Sequence, residues 1–275
     1  MNQELTDSPW GKWGLRSTAI VFLSFMIVLP LAAVVERGFV DGLAGFWEDL
    51  QAPSARYALW LTLWTALLMT VLNTVMGTLT AYVLVRYRFP GHALLNAVVD
   101  LPFAFPTLIT GIMLVVLYGP QHVVGAWLKE HGVEIMFAPT GIVLALLFVT
   151  YPFVVRAVQP VLTELETDQE EAAYTLGASR VLTFFKVLLP AILPAIITGA
   201  LLCFARALGE FGSIVIVAGN IPGRSLTAPV YIFGEIEAGN LRGAASMSVL
   251  LLALSFVLIF SVDWAQQRRE RRRVI

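Results

Sequence analysis

A charged pair lies within a long apolar stretch of this 275-residue sequence. Arg206 and Glu210 are the two charged residues in the segment 187–223. On a helix their i, i+4 spacing permits a salt bridge, and charges in so apolar a setting normally face a cavity or a partner. The pair therefore either neutralises itself at a subunit interface or lines a pathway or gate. Three further residues complete this candidate site: Gly209, Phe211 and Gly212. The two glycines favour close helix packing or a bend.

An acid-rich segment before Gly177 is the second candidate. Five acidic residues occur there without an intervening base: Glu164, Glu166, Asp168, Glu170 and Glu171. The run 167–170, Thr-Asp-Gln-Glu, has the form of a capping box and predicts the start of a short helix. Gly177 suits the position just after a helix, where φ is often positive, and Ser179 can cap a second helix. The segment is either an amphipathic loop at the membrane surface, with acids placed for the helix dipole, or a docking element for a cytoplasmic partner.

The residue types required for catalysis are too scattered to form a site. The three lysines, Lys12, Lys129 and Lys186, do not lie in the G-x4-G-K-[ST] pattern of a nucleotide-binding loop. The three histidines are dispersed and give no metal-ligand spacing, and Cys203 is the single cysteine. We therefore expect no catalytic residues, no metal and no cofactor in this chain.

The composition indicates a membrane protein. Apolar residues make up 58% of the chain and charged residues 13%, against about 25% charged in soluble domains. A helix needs about 20 apolar residues to cross a bilayer, and stretches free of Asp, Glu, Lys and Arg predict six spans at 17–35, 57–85, 101–128, 135–155, 187–205 and 243–262. The stretches do not alternate as the strands of a β-barrel would. The predicted fold is an all-α integral membrane protein with six transmembrane helices.

The basic residues predict the orientation. With the N-terminus inside, twelve of the 18 lysines and arginines fall in inside segments and five in outside loops. Both termini are therefore expected in the cytoplasm, with residues 1–16 as a cytoplasmic N-terminal segment, 17–264 as the transmembrane domain and 265–275 as a basic tail at the lipid surface. A net charge of −1 gives no reason to expect nucleic-acid binding.

The acid-rich segment resembles a known motif. Glu171-Ala172-Ala173, three residues, Gly177, nine residues and then Val187-Leu188-Leu189-Pro190 is similar to the EAA loop of ABC-importer permeases, with Val187 in place of Ile. The resemblance implies an EAA loop at about 159–190 and a cytoplasmic coupling helix between spans 4 and 5. Glu171, Ala172, Ala173 and Gly177 would couple the chain to ATP-binding subunits, which would carry ATP and Mg and drive alternating access.

A second resemblance concerns the substrate. The run from Arg206 to Ser213, Arg-Ala-Leu-Gly-Glu-Phe-Gly-Ser, and Ala-Gly-Asn-Ile-Pro-Gly at 218–223 are similar to the T-type permease family of sulfate/thiosulfate importers. That family implies a related W-type permease subunit, a periplasmic or extracellular sulfate-binding protein and a bacterial inner-membrane location. Arg206 then has a third possible role, direct contact with sulfate. The alternatives are a molybdate/tungstate ABC permease, an ion-coupled secondary transporter or channel, and a membrane-embedded enzyme.

Overall fold

The architecture is that of a helical membrane bundle, seen here in a computed structural model that describes residues 9–165 and 167–273. Every regular element among these residues is helical. The α-helices are α1 (Pro9–Leu23), α2 (Leu29–Gly38), α3 (Gly42–Gln51), α4 (Pro53–Arg86), α5 (His92–Ala104), α6 (Thr107–Tyr118), α7 (Val123–Glu130), α8 (Pro139–Glu164), α9 (Asp168–Thr175), α10 (Arg180–Thr183), α11 (Leu189–Leu208), α12 (Gly212–Val217), α13 (Ala228–Glu237) and α14 (Leu241–Arg273). Two π-helical segments, Ser24–Val28 and Phe184–Leu188, continue α1 into α2 and α10 into α11.

The helical elements confirm the predicted all-α class, and five of the apolar segments, or six if a bent pair counts as one span, are long enough to cross a membrane. Five are continuous: Trp13–Gly38, Pro53–Arg86, Pro139–Glu164, Arg180–Leu208 and Leu241–Ser261. The sixth is the pair α5 and α6, whose axes are bent by 112°. The expected domain boundaries at residues 16 and 264, and the side of the membrane on which each end lies, stay predictions.

The third span, predicted at 101–128 and interrupted in the sequence by Pro102 and Pro106, is a broken pair of helices and not one helix with a simple kink. The chain breaks between Ala104 and Thr107, where Phe105 is extended at φ −95° and ψ 135°. Pro106 explains the break, because proline lacks an N–H for the helix ladder and forces the preceding residue out of the helical region. The end of the expected span, beyond Tyr118, lies in a loop and in α7.

The fifth span, predicted at 187–205, ends as a helix at Leu208, although the apolar sequence continues beyond it. The sequence has no charge beyond Glu210 until Arg224, yet α11 stops at Leu208 and a separate short helix, α12, begins at Gly212. The break therefore falls on the charged pair and its glycines.

The centre of the bundle consists of α4, α8 and α11, packed through small residues and one polar cluster. A Cβ on Gly199 of α11 would lie 3.0 Å from Cα of Val154 on α8, so these backbones approach closely, as is common between membrane helices. Asn73 of α4 donates to the hydroxyl of Thr150 at 2.9 Å and to the carbonyl of Leu147 at 3.1 Å, both on α8. These contacts fix α4 and α8 relative to each other.

Candidate functional site

The loop between α8 and α11 forms a helix, a glycine turn and a second helix, as the sequence predicted. α9 ends in two backbone hydrogen bonds, from Gly177 N to Tyr174 O at 2.9 Å and from Ala178 N to Ala173 O at 3.0 Å. This is the Schellman pattern, which needs a left-handed residue after the helix; Gly177 has φ +84°. Ser179 then caps α10 by accepting a hydrogen bond from Leu182 N at 3.3 Å.

The predicted capping box is wrong. Within the described residues, the Thr167 side chain makes no capping hydrogen bond, and its backbone is already helical at φ −72° and ψ −13°. Glu170 does not reach back to the helix start, because its carboxylate accepts a hydrogen bond from Arg86 Nε at 2.8 Å. Glu170 is buried as a result. The ion pair between Glu170 and Arg86 of α4 has therefore replaced the predicted local cap. Glu166 lies outside the described residues.

The outer surface of this loop is apolar as well as acidic. Glu171, Ala172 and Gly177 are exposed and Ala173 is half-buried. We use the term docking patch for the exposed apolar side chains around them: Tyr174, Leu176, Val181, Leu182 and Phe185. Leu176 is 88% exposed. Several exposed large apolar side chains within one short loop are typical of a site that contacts a protein or a membrane.

The Arg206–Glu210 ion pair forms as predicted, and it lies at the break between α11 and α12. Arg206 Nη2 lies 2.7 Å from Oε2 of Glu210, whose side chain is 1% exposed. The other carboxylate oxygen of Glu210 accepts hydrogen bonds from Ser213 N at 2.8 Å and Ser213 Oγ at 2.7 Å. Both oxygens of the buried carboxylate are thus occupied, as a charge in this setting requires. The Arg206 side chain stays 33% exposed.

The breaks in the third and fifth spans lie against each other. A Cβ on Gly212, at the start of α12, would overlap the Thr107 hydroxyl at the start of α6. Further along, a Cβ on Gly111 would lie 2.8 Å from Cβ of Ile216. We call this region the paired breaks, residues 104–107 and 208–212. Discontinuous helices that meet inside a membrane are a common feature of transport sites.

The other members of the predicted site contribute less directly. Of the two glycines, Gly212 makes the close contact, whereas the space around Gly209 is open among the described residues, with no atom within 4 Å of an added Cβ. Gly209 instead ends α11, at φ −98° and ψ 9°. The Phe211 ring packs against Phe233 of α13 with centroids 5.1 Å apart, which fixes α13 beside the break.

A cavity lies between α4, α8 and the two arms of the bent pair α5 and α6. Its volume is about 620 Å³. Its lining is mainly aliphatic and aromatic, with Asn73, Thr110 and Tyr151 among the few polar side chains. The lining includes no charged residue, so the cavity lacks the positive charge that would attract a small anion.

Two arginines of the predicted outside loop between spans 5 and 6 have acidic partners within the chain. Arg224 is paired with Glu134. Arg242 is paired with Asp41 and, at 2.7 Å, with Asp49. In the described part of the chain, no group of three or more His, Cys, Asp or Glu side chains could hold a metal ion.

Comparisons with known proteins agree with this architecture. A probable sulfate transport system permease protein of Nephroselmis olivacea is 43% identical over 255 residues, which cover 93% of this chain and 89% of that protein. The sulfate transport system permease protein CysT of Escherichia coli K12 is 40% identical over 255 residues, 93% of this chain and 92% of that protein.

The solved structures show the same fold at low sequence identity. A chain of a bacterial alginate ABC transporter matches with a TM-score of 0.79 at 16% identity, covering 97% of each chain. A chain of the MetNI methionine ABC transporter matches with a TM-score of 0.60 at 22% identity, covering 80% of this chain and 98% of that one. The family model described as "binding-protein-dependent transport system inner membrane component" matches residues 73–274. The chain belongs to this family of inner-membrane transport components.

Proposed function

We propose that this chain is the permease subunit of an ATP-driven importer of sulfate or thiosulfate. The observation that carries the proposal is the similarity to sulfate transport permeases, which is about 40% identity over more than nine-tenths of the chain. As a member of its family the chain is a membrane permease subunit and not itself an enzyme. Molybdate or tungstate permeases are the nearest alternative, and an ion-coupled transporter is the alternative of a different class.

The α9 loop is the proposed contact with an ATP-binding subunit that carries ATP and Mg. The small side chains of Ala172 and Ala173 let a partner approach the α9 backbone, and Gly177 turns the chain so that the docking patch faces the same partner. Leu176 is 88% exposed, and burying its apolar side chain against a partner would be favourable because it removes that surface from water. In this proposal Glu171 is the exposed acid that meets the partner, whereas Glu170 is committed to Arg86.

The paired breaks are the proposed pathway or gate. Glu210 balances part of the positive charge of Arg206, while the exposed third of Arg206 remains able to meet a divalent anion. Partial neutralisation suits transport, because a conduction site must attract an ion yet release it. The alternative, in which the pair only neutralises itself at the interface with a second permease, predicts no effect of Arg206 on transport beyond assembly.

The proposed assembly places α9 and both termini in the cytoplasm, in agreement with the excess of basic residues in the inside segments. Two permease chains, this one and a related W-type subunit, would enclose the path, and an external sulfate-binding protein would deliver the anion. Arg224 and Arg242 are paired with acidic residues of the same chain, so they are less available for contact with that protein.

The deciding experiment is uptake of labelled sulfate into vesicles that contain the complete complex and its binding protein. We expect uptake to require ATP and to be competed by thiosulfate more strongly than by molybdate. Stronger competition by molybdate would transfer the proposal to the molybdate/tungstate class. Uptake that persists without nucleotide and follows an ion gradient would instead establish a secondary transporter.

A further inference from the structure

A buried ion pair joins the inner end of α4 to α9. Arg86 is the last residue of α4, and its Nε and Nη2 both lie 2.8 Å from Oε1 of Glu170 on α9. Nη2 also donates to the carbonyl oxygen of Leu165, in the chain that enters α9, at 3.2 Å. The exposed fractions of the two side chains are 14% for Arg86 and 8% for Glu170. Arg86 therefore binds both α9, through Glu170, and the chain segment that leads into α9, through Leu165.

The placement of the pair indicates a positioning role. A buried ion pair often adds little net stability, because desolvation offsets the attraction, but removing one partner leaves a charge without compensation. Such a pair thus enforces one geometry. One turn earlier on α4, the ring of Tyr82 packs edge-on against Phe184 with centroids 5.4 Å apart. The Arg86–Glu170 pair and the Tyr82–Phe184 contact therefore fix the positions of α9 and of the start of the fifth span on the same end of α4.

The helix α4 is suited to carry a displacement across the membrane. Its 34 residues form one helix, about 51 Å long at 1.5 Å per residue. Its one proline is Pro53 at the helix start, whereas α8 and α11 contain prolines in their interiors, where helices usually kink. α4 is therefore the one of these three helices that has no proline in its interior.

The far end of α4 holds the chain between α12 and α13. Tyr57 Oη donates to the carbonyl oxygen of Arg224 at 2.9 Å, and Ala228 N donates to Thr62 Oγ1 at 2.8 Å. The latter contact is buried. One rigid helix thus contacts the α9 loop at one end and residues 224–228 at the other.

We infer that Arg86 and Glu170 are positioning residues for transport, and that their ion pair transmits displacement of the docked α9 loop to α4 and so to residues 224–228. The inference rests on the proposed function, because the displacement comes from a docked ATPase. Because their charged groups bind each other, the two residues affect transport by fixing the position of α9 on α4. Without the pair, the ATPase still docks on the α9 loop, but less of its displacement reaches α4.

The test compares two neighbouring arginines in the complete reconstituted transporter. Arg86→Gln removes the ion pair, and Arg88→Gln removes the same charge from an exposed residue two positions later. For Arg86→Gln we expect a bound ATPase and nearly normal ATP hydrolysis, with sulfate uptake per ATP reduced by about fivefold or more, the range of a typical coupling energy. Arg88→Gln should keep the wild-type ratio.

A reciprocal exchange separates positioning from general destabilisation. Glu170→Arg alone should uncouple, and Arg86→Glu combined with Glu170→Arg should recover much of the uptake per ATP. Equal ratios for Arg86→Gln and Arg88→Gln would overturn the inference. A parallel loss of complex, hydrolysis and uptake that the exchange does not repair would also overturn it. If Arg86→Gln does not assemble, Arg86→Lys, which keeps the charge but loses the Nε contact, is measured by the same ratio.

A second readout does not depend on sulfate. Trypsin cuts after Arg180 and Lys186, which follow α9 and are exposed. In the purified full-length chain without the ATP-binding subunit, which would cover the docking patch, we expect faster cleavage at these sites in Arg86→Gln than in Arg88→Gln, because α9 has lost its fixed position. Unchanged cleavage would contradict the inference. If the wild-type complex takes up no sulfate, the proposed function fails, yet this comparison still decides whether the pair positions α9.

Discussion

Gly177 is the residue whose conformation most directly determines the shape of the α9 loop. Its φ of +84° lies in the left-handed region, which costs an L-residue about 1–2 kcal/mol. An added Cβ would meet no described atom within 4 Å, so a substitution acts through the backbone and not through a clash. The turn that aims the docking patch therefore depends on this one φ angle.

We expect Gly177→Val to lower uptake per ATP hydrolysed while the protein still inserts into the membrane. Gly177→Asn is the matched control, because asparagine tolerates the left-handed region better than other side chains, and it should stay close to wild type. The measurement is the ratio of labelled uptake to ATP hydrolysis in reconstituted vesicles. Wild-type coupling in the valine variant would refute the assigned role of this turn.

Arg206 and Glu210 differ in how much structure depends on them. Glu210 accepts hydrogen bonds from Ser213 as well as the ion pair, so Glu210→Ala leaves several buried donors unsatisfied. We expect a loss of about 3–5 kcal/mol, as for a broken buried pair, and a low yield of complex. Arg206→Gln leaves the Ser213 contacts in place and offers a neutral amide in place of the guanidinium, so we expect a smaller loss of stability than for Glu210→Ala, together with reduced uptake.

The double variant Arg206→Gln with Glu210→Gln distinguishes the two interpretations of the pair. If the charges only neutralise each other, removing both should restore assembly and uptake together. If Arg206 contacts the anion, assembly recovers while uptake stays low. Complex yield and initial uptake rate are the two measurements. Normal uptake and stability in Arg206→Gln alone would show that the charge is incidental.

At the scale of elements, the contact between α6 and α12 fixes the paired breaks. We expect Gly212→Ala to cost about 1–3 kcal/mol, the usual penalty of overpacking, because the new methyl group would overlap the Thr107 hydroxyl. Gly209→Ala provides the control, since its surroundings are open among the described residues. The thermal midpoint of the purified complex measures both. Equal midpoints would mean that α6 and α12 can separate without cost.

The elements were predictable where a local rule decides them. Charge-free stretches located the five continuous spans and the bent pair, and the sequence placed α9, the Gly177 turn and the Ser179 cap correctly. Pro102 and Pro106 marked the third span as interrupted, but the 112° bend depends on how α6 packs against α12. The capping box failed because Glu170 found a partner in Arg86, 84 residues away. An inside arginine at the end of span 2 and an inside acid cluster were the available signals, and neither specifies the pairing.

At the scale of the whole molecule, the ion pairs tie distant parts of the chain together on both sides of the bundle. Arg86 joins α4 to α9, and Arg242 at the start of α14 joins the chain around α3 through Asp41 and Asp49. Counting charges by position predicted which segments share a side of the membrane. It could not predict which of these charges pair with each other within the chain, because that depends on which helices are neighbours. The near-neutral net charge of −1 conceals this organisation.

The end of α4 opposite the α9 loop gives a last test of whether distant parts of the molecule move together. Thr62→Val keeps the size of the side chain but removes the acceptor for Ala228 N, and an unsatisfied buried donor costs about 1–3 kcal/mol. Thr70→Val is the control, because the Thr70 hydroxyl bonds the Ala66 carbonyl of its own helix at 2.7 Å. We expect Thr62→Val to lower uptake per ATP although the change lies at the opposite end of α4 from the α9 loop. If Thr62→Val and Thr70→Val give the same ratio, the chain at 224–228 moves independently of α4.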